Sequence, residues 1–130
     1  MKDPRKRNIL VIDDDEAMRE TIAFFLEEKG HSVTVCENGI EGVALFTQHT
    51  YDLVITDIMM PGKDGLGAMI EMEKINPDVA VLAISGAGMK DALLDAADLF
   101  GAVHTLKKPF TKQDLLWTVA DIFDTVTLRT

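Results

Sequence analysis

A three-layer α/β/α domain built on a parallel sheet is predicted by two features of the chain. Short apolar runs recur along it, as in Ile9-Leu10-Val11-Ile12 and Leu53-Val54-Ile55, and continuous runs of this kind suit strands buried on both faces. Between them lie stretches whose apolar residues fall three and four apart, the spacing of a helix with one face on a core. Strand and helix signals alternate five times, without repeats, low-complexity tracts or a linker, so right-handed crossovers should place helices on both faces of one sheet. The 130 residues are read as a single domain, 1–130, with its core from about 8 to 126. The composition, 47% hydrophobic and 27% charged, supplies enough apolar side chains for that core.

The first strand signal, 8–13, closes in acid, and its unbroken apolar character predicts the central strand of the sheet. Asp14 or Asp15 can cap the helix that follows, and Gly30 stops it. On that helix Met18, Ile22, Phe25 and Leu26 form the core stripe, while Phe24 lies off it, against a neighbouring helix or a partner. Residues 31–37 alternate, with Val33 and Val35 inward, as in a strand near an edge. Asn38-Gly39 makes a turn before a second helix carrying Val43, Ala44 and Phe46. The third strand, 51–57, delivers Asp57 to a loop containing Pro61, Gly62 and Gly65, and a third helix runs from Leu66 to Ile75, where Asn76-Pro77 stops it. The fourth strand, 79–85, leads into Gly86-Ala87-Gly88, and a fourth helix spans about 89–100. The last strand covers 102–106. Thr111 and Asp114 then form a near capping box for a fifth helix, on which Leu115, Val119, Ile122, Phe123 and Val126 face the core and Trp117 the other side.

Four of the apolar runs end in a reactive polar group: Asp13-Asp14-Asp15, Asp57, Ser85-Gly86 and Lys107-Lys108. In an open α/β sheet the ligand crevice lies outside the carboxyl ends of the strands, so these groups should converge. Neighbouring carboxylates repel by on the order of 4 kcal/mol per pair at an effective dielectric of about 20, and such a cluster needs a cation. A few oxygen ligands mixed with water suit Mg²⁺, which also bridges to phosphate oxygens. The pattern points to phosphoryl transfer.

The net charge of -9 argues against unassisted binding to nucleic acid or to an anionic membrane, and makes protein the expected partner. The single cysteine, Cys36, has no intramolecular disulfide partner and reads as a small buried hydrophobe. No segment is long enough to cross a membrane, and the apolar run behind the basic start Lys2-Asp3-Pro4-Arg5-Lys6-Arg7 is too short for a signal peptide, so a cytoplasmic location is expected. His31, His49 and His104 lack metal-ligand spacing and are read as surface residues.

Asp13-Asp14, the stretch Asp57-Ile58-Met59-Met60-Pro61-Gly62-Lys63-Asp64-Gly65, Ser85-Gly86 and Lys108-Pro109-Phe110, in this order at four strand ends, closely resemble the receiver domain of bacterial two-component response regulators, of the chemotaxis-regulator kind. The resemblance runs from Asn8 to about Val126. It implies a flavodoxin-like doubly wound sandwich, five parallel strands in the order 2-1-3-4-5 with five helices. It also implies that Asp57 accepts a phosphoryl group from a phosphohistidine on a sensor histidine kinase or histidine phosphotransfer protein. Asp13, Asp14, Asp57 and the backbone carbonyl of Met59 match the Mg²⁺ ligands. Ser85 matches the hydroxyl that hydrogen-bonds the phosphoryl group, and Lys108 the lysine that pairs with it. By resemblance, the domain signals rather than turning over a substrate: it catalyses only its own phosphorylation and dephosphorylation, and switches binding of a downstream protein target or output domain.

Family members often carry an aromatic residue three positions before the site lysine, whose ring swings inward on activation; here that switch position is Thr105. Activation is therefore expected to be read through Gly86-Ala87-Gly88 and the fourth helix. Met59 lacks a polar group to orient attacking water, and Ala87 leaves the donor access, which together predict slow self-hydrolysis. Trp117, with Gln113, Ala120 and Asp124, fits partner binding or homodimerisation, or a ring lying partly over the neighbouring helix. The chain stops soon after the last helix, as expected of a stand-alone receiver or of one cut from a larger regulator or hybrid kinase. A haloacid-dehalogenase-type phosphatase is disfavoured because the position two after Asp57 is Met59 rather than an acid. A flavin module is disfavoured because three aspartates stand where FMN phosphate would bind.

Overall fold

The structure is a computed structural model that describes residues 6–57, 65–86 and 103–129. Its elements are β1 (Asn8–Ile12), α1 (Glu16–Glu28), β2 (Ser32–Cys36), α2 (Gly39–Gln48), β3 (Leu53–Asp57), α3 (Gly65–Ile75), β4 (Ala80–Ser85), β5 (Val103–Lys107) and a C-terminal helix, α4 (Lys112–Arg129). All strand pairs are parallel, and the sheet order is β2-β1-β3-β4-β5, the flavodoxin-like order. The middle strand is β3, not β1 as expected. An unbroken apolar run reports burial on both faces, which every interior strand shares, and carries no information about rank in the sheet. The loop 58–64 and the helix expected over 89–100 lie outside the described residues.

Alternation along the strands divides the core in two. Leu10, Ile12, Val54 and Val81 turn to one face and meet Phe46 of α2 with Met69 and Met72 of α3. Ile9, Val11, Ile55 and Leu82 turn to the other and meet Ile22 and Leu26 of α1 with Leu115 and Ile122 of α4. Each such aliphatic side chain, taken fully from water, contributes about 1.5–3 kcal/mol. The resulting slab fixes the strand ends from which the polar groups project.

Local signals set the helix boundaries. Asp15, rather than Asp14, caps α1, its Oδ1 accepting from the amides of Ala17 at 3.0 Å and Met18 at 3.4 Å. The capping box of α4 is complete: the Thr111 amide donates to Asp114 Oδ2 and the Asp114 amide to Thr111 Oγ1, both at 3.0 Å. On α2, Gly42 and Phe46 face inward and Ala44 is exposed, against expectation. A Cβ at Gly42 would collide with the end of the Ile12 side chain, which would have to shift for any larger residue there.

Three expectations for β2 and its surroundings meet different fates. Val35 is 41% exposed, because β2 is an edge strand and the packing that half-buries Val33 does not extend to it. Cys36 is a buried free thiol, pushed up to about 11 by burial and by the nearby Glu41 carboxylate, as suits a hydrophobe. His31 is half-buried rather than on the surface: its Nδ1 accepts from the Arg7 amide at 3.3 Å, and its ring lies 5.5 Å from that of Phe123. Burial and the Arg7 charge hold it below the usual histidine range. Among the described residues no helix is long and apolar enough to cross a membrane.

Gly30 ends α1 with φ at 90°, and a Cβ there would meet nothing within 4 Å. Its substitution therefore isolates the backbone term. Gly30→Ala is expected to lower unfolding free energy by about 1 kcal/mol, read from the urea midpoint at unchanged slope.

Candidate functional site

The strand register assembles the site. Ile12 pairs with Thr56, so Asp13 stands one residue beyond the ladder, level with Asp57 at the end of the middle strand. Asp57 pairs with Ile84, and Ile84 with Leu106, which puts Lys108 two residues past that level on the next strand but one. The long lysine side chain reaches back across the gap: Lys108 Nζ lies 3.1 Å from Asp57 Oδ2 and 3.9 Å from Asp13 Oδ2. Carboxylate oxygens of Asp13, Asp14 and Asp57 all fall within 4.8 Å of one another.

Burial makes this cluster costly. Asp13 is 1% exposed and Asp57 7%, while Asp14 is exposed. Asp13 Oδ1 accepts the Asp15 amide at 2.9 Å, but Asp13 Oδ2 is buried and has no hydrogen-bond partner among the described residues. Burial raises the pKa of Asp13, and the Asp57 and Asp14 carboxylates raise it further, against the lowering effects of the Asp15 amide and of Lys108. Lys108 is held above the usual lysine range: burial works against its charge, but the hydrogen bond to Asp57 and the carboxylates of Asp13, Asp57 and Asp15 outweigh it.

A divalent cation fits these donors. Octahedral oxygen ligands about 2 Å from Mg²⁺ stand about 3 Å apart when adjacent and about 4 Å when opposite, so a small contraction of the triangle suffices. The three carboxylates and the Lys108 ammonium sum to two negative charges, and the orphaned Asp13 Oδ2 is the kind of atom that a cation would satisfy.

The other predicted residues are placed as follows. Ser85 ends β4, paired with Lys107 of β5; its side chain lies outside the described residues, as do Met59, Ala87 and Gly88. Thr105 pairs with Ala83 and is exposed. Phe24 is 62% exposed on α1, its ring 6.2 Å from that of Phe25. Trp117 is 78% exposed and stands with Gln113 and Ala120, over a groove of about 410 Å³ that also takes in Lys29 and His31. Its face of the last helix thus looks to the end of α1. Two contacts escape the strand-end pattern: Arg19 Nη1 donates to the Asp13 carbonyl at 2.8 Å, and the buried Thr56 hydroxyl donates to the Asp57 carbonyl at 3.1 Å. Both act on backbone, which residue spacing alone does not reveal.

A doubly wound sheet with an acidic, lysine-bridged cluster at the carboxyl ends of its inner strands defines a domain able to hold a cation beside a buried carboxylate. Residues 9–120 match the response regulator receiver domain. The chemotaxis protein CheY of Halobacterium salinarum is 29% identical over 116 residues, covering 89% of this chain and 96% of that protein. Response regulator MprA of a Mycobacterium species is 33% identical over 108 residues, 83% of this chain and 46% of the relative. A receiver domain structure from Clostridium thermocellum superposes with a TM-score of 0.83 at 36% identity, covering 95% of this chain and 99% of that one. NtrX from Brucella abortus superposes with a TM-score of 0.89 at 28% identity, over 95% of this chain and 29% of that one. The chain spans half the length or less of several curated relatives it matches. The chain belongs to the response regulator receiver domain family, and is a receiver domain of two-component signalling.

Because the folded pKa of Asp13 lies above its unfolded value, the fold binds that proton more tightly than the unfolded chain does. Its contribution is least unfavourable below the usual carboxylate value near 3.8, and stability is lost as pH rises through the raised pKa. In a metal chelator at neutral pH, Asp13→Asn is therefore expected to melt a few degrees above the wild type, with the gap closing as pH falls toward about 4. Thermal melts across that range check it.

Proposed function

We propose that Asp57 is the phosphoacceptor of this receiver. The observation that carries the reading is the position of its buried carboxylate, bridged by Lys108 at 3.1 Å and sharing an oxygen triangle with Asp13 and Asp14. A carboxylate oxygen of Asp57 forms the O–P bond in line as the N–P bond of a phosphohistidine breaks and the neutral or protonated imidazole departs. Lys108, already poised on the carboxylate, pairs with a phosphoryl oxygen, and Ser85 hydrogen-bonds another. Asp13, Asp14 and Asp57 would hold Mg²⁺ with the backbone carbonyl of Met59, and the ion when bound would neutralise charge on the transferred oxygens.

The donor in this reading is a sensor histidine kinase or histidine phosphotransfer protein. The readers are a downstream protein or an attached output domain; the longer relatives, such as MprA and NtrX, of which this chain covers 46% and 29%, keep the second of these open. Thr105 puts no ring at the switch position of β5, so the signal passes through Gly86-Ala87-Gly88 and residues 89–100. Trp117 and Phe24 supply exposed apolar surface for a partner or a second copy. The protein acts in the cytoplasm and has no catalytic turnover beyond its own phosphorylation and slow dephosphorylation.

Incubation with a small phosphodonor and Mg²⁺ is expected to add one phosphoryl group, read by intact mass. Asp57→Asn or omission of Mg²⁺ should abolish the gain, and a gain that survives both would overturn the assignment. Mg²⁺ at roughly a hundred times its dissociation constant should stabilise the fold by about 2.7 kcal/mol. Met59→Asn should shorten the lifetime of the phosphorylated form, followed by the decay of the added mass.

A further inference from the structure

We infer that Arg19 is a positioning residue for the acidic pair, setting the direction of both Asp13 and Asp14 through the peptide group that joins them. The inference rests on the Mg²⁺ reading above. Asp13 is tethered on three sides: its amide donates to the Cys36 carbonyl of β2 at 3.2 Å, its Oδ1 accepts the Asp15 amide, and its carbonyl accepts Arg19 Nη1 at 2.8 Å. Oδ2 has no hydrogen-bond partner among the described residues, and a carboxylate oxygen of Asp13 belongs to the oxygen triangle.

The carbonyl held by Arg19 is half of the peptide unit whose other half is the Asp14 amide. That unit is planar, so fixing the carbonyl fixes the direction in which Asp14 leaves the strand end. Asp14 has no comparable burial of its own to do this. Arg19 is itself anchored, since its amide donates to the Asp15 carbonyl at 2.9 Å in the first turn of α1. One residue thus closes the loop 13–15 from both backbone and side chain. Without a cation, carboxylates this close repel, and rotation of the 13–14 peptide is one way for them to part. The charge-assisted bond to the carbonyl opposes that rotation.

The role is separable from simple charge. A guanidinium near a divalent cation repels it, so deletion of Arg19 as a mere charge would tighten Mg²⁺ binding, whereas loss of a positioning contact would weaken it. The two accounts have opposite signs.

Calorimetric titration of Mg²⁺ into the full chain tests this, with melting in chelator as the control for folding. Arg19→Gln is expected to weaken Mg²⁺ about ten-fold, and Arg19→Lys, which keeps the charge and a shorter donor, should fall between it and the wild type. Equal or tighter binding by Arg19→Gln overturns the inference while leaving the metal site intact. If Arg19→Gln does not fold, wild-type affinity in Arg19→Lys overturns it instead. A wild type that binds no Mg²⁺ overturns the metal reading, and this inference with it.

Discussion

The Lys108 ammonium lies between two carboxylates, one of them almost wholly buried, and the arrangement of the carboxyl edge of the sheet follows from that contact. Burial disfavours the charged form of Asp13, and the neighbouring carboxylates push in the same direction; the lysine and the Asp15 amide pull the other way. The balance leaves a site with excess negative charge, held open by a rigid sheet rather than relaxed by collapse. A structure with purely architectural demands would place an apolar or neutral residue at 13. The retained charge is intelligible as readiness for a cation.

The sheet makes this readiness possible. Its two faces are covered by separate apolar clusters, so strand ends are fixed from both sides and differ in level by known steps. Asp13 and Asp57 share a level, and Lys108 overshoots it and folds back. A flexible loop carrying the same residues would spend its interactions on ordering the groups rather than on holding them apart.

Much of this was legible in the chain. Apolar runs closing in Asp13, Asp57 and Lys108 located the edge where charged groups gather, because parallel topology obliges strand ends to meet there. The strand order came from resemblance, since burial pattern alone does not rank interior strands, as the misplacement of β1 at the centre illustrates. What stayed hidden depended on side chains acting on backbone or on incomplete cover. Arg19 looks like an ordinary helix residue until its reach to the Asp13 carbonyl is seen. His31 owes its burial to Arg7 and Phe123, from opposite ends of the chain, and Val35 its exposure to an edge that periodicity does not register.

Gly42 closes the account from the opposite face. Its bare backbone lies against Ile12, the residue immediately before Asp13, so α2 and the acidic loop share a wall one side chain thick. Positions 12 and 42 therefore share space: a larger residue at 42 requires the end of Ile12 to shift. In descent as in redesign, a helix well removed in sequence from Lys108 is constrained by the same few cubic ångströms that seat Ile12, the residue before Asp13.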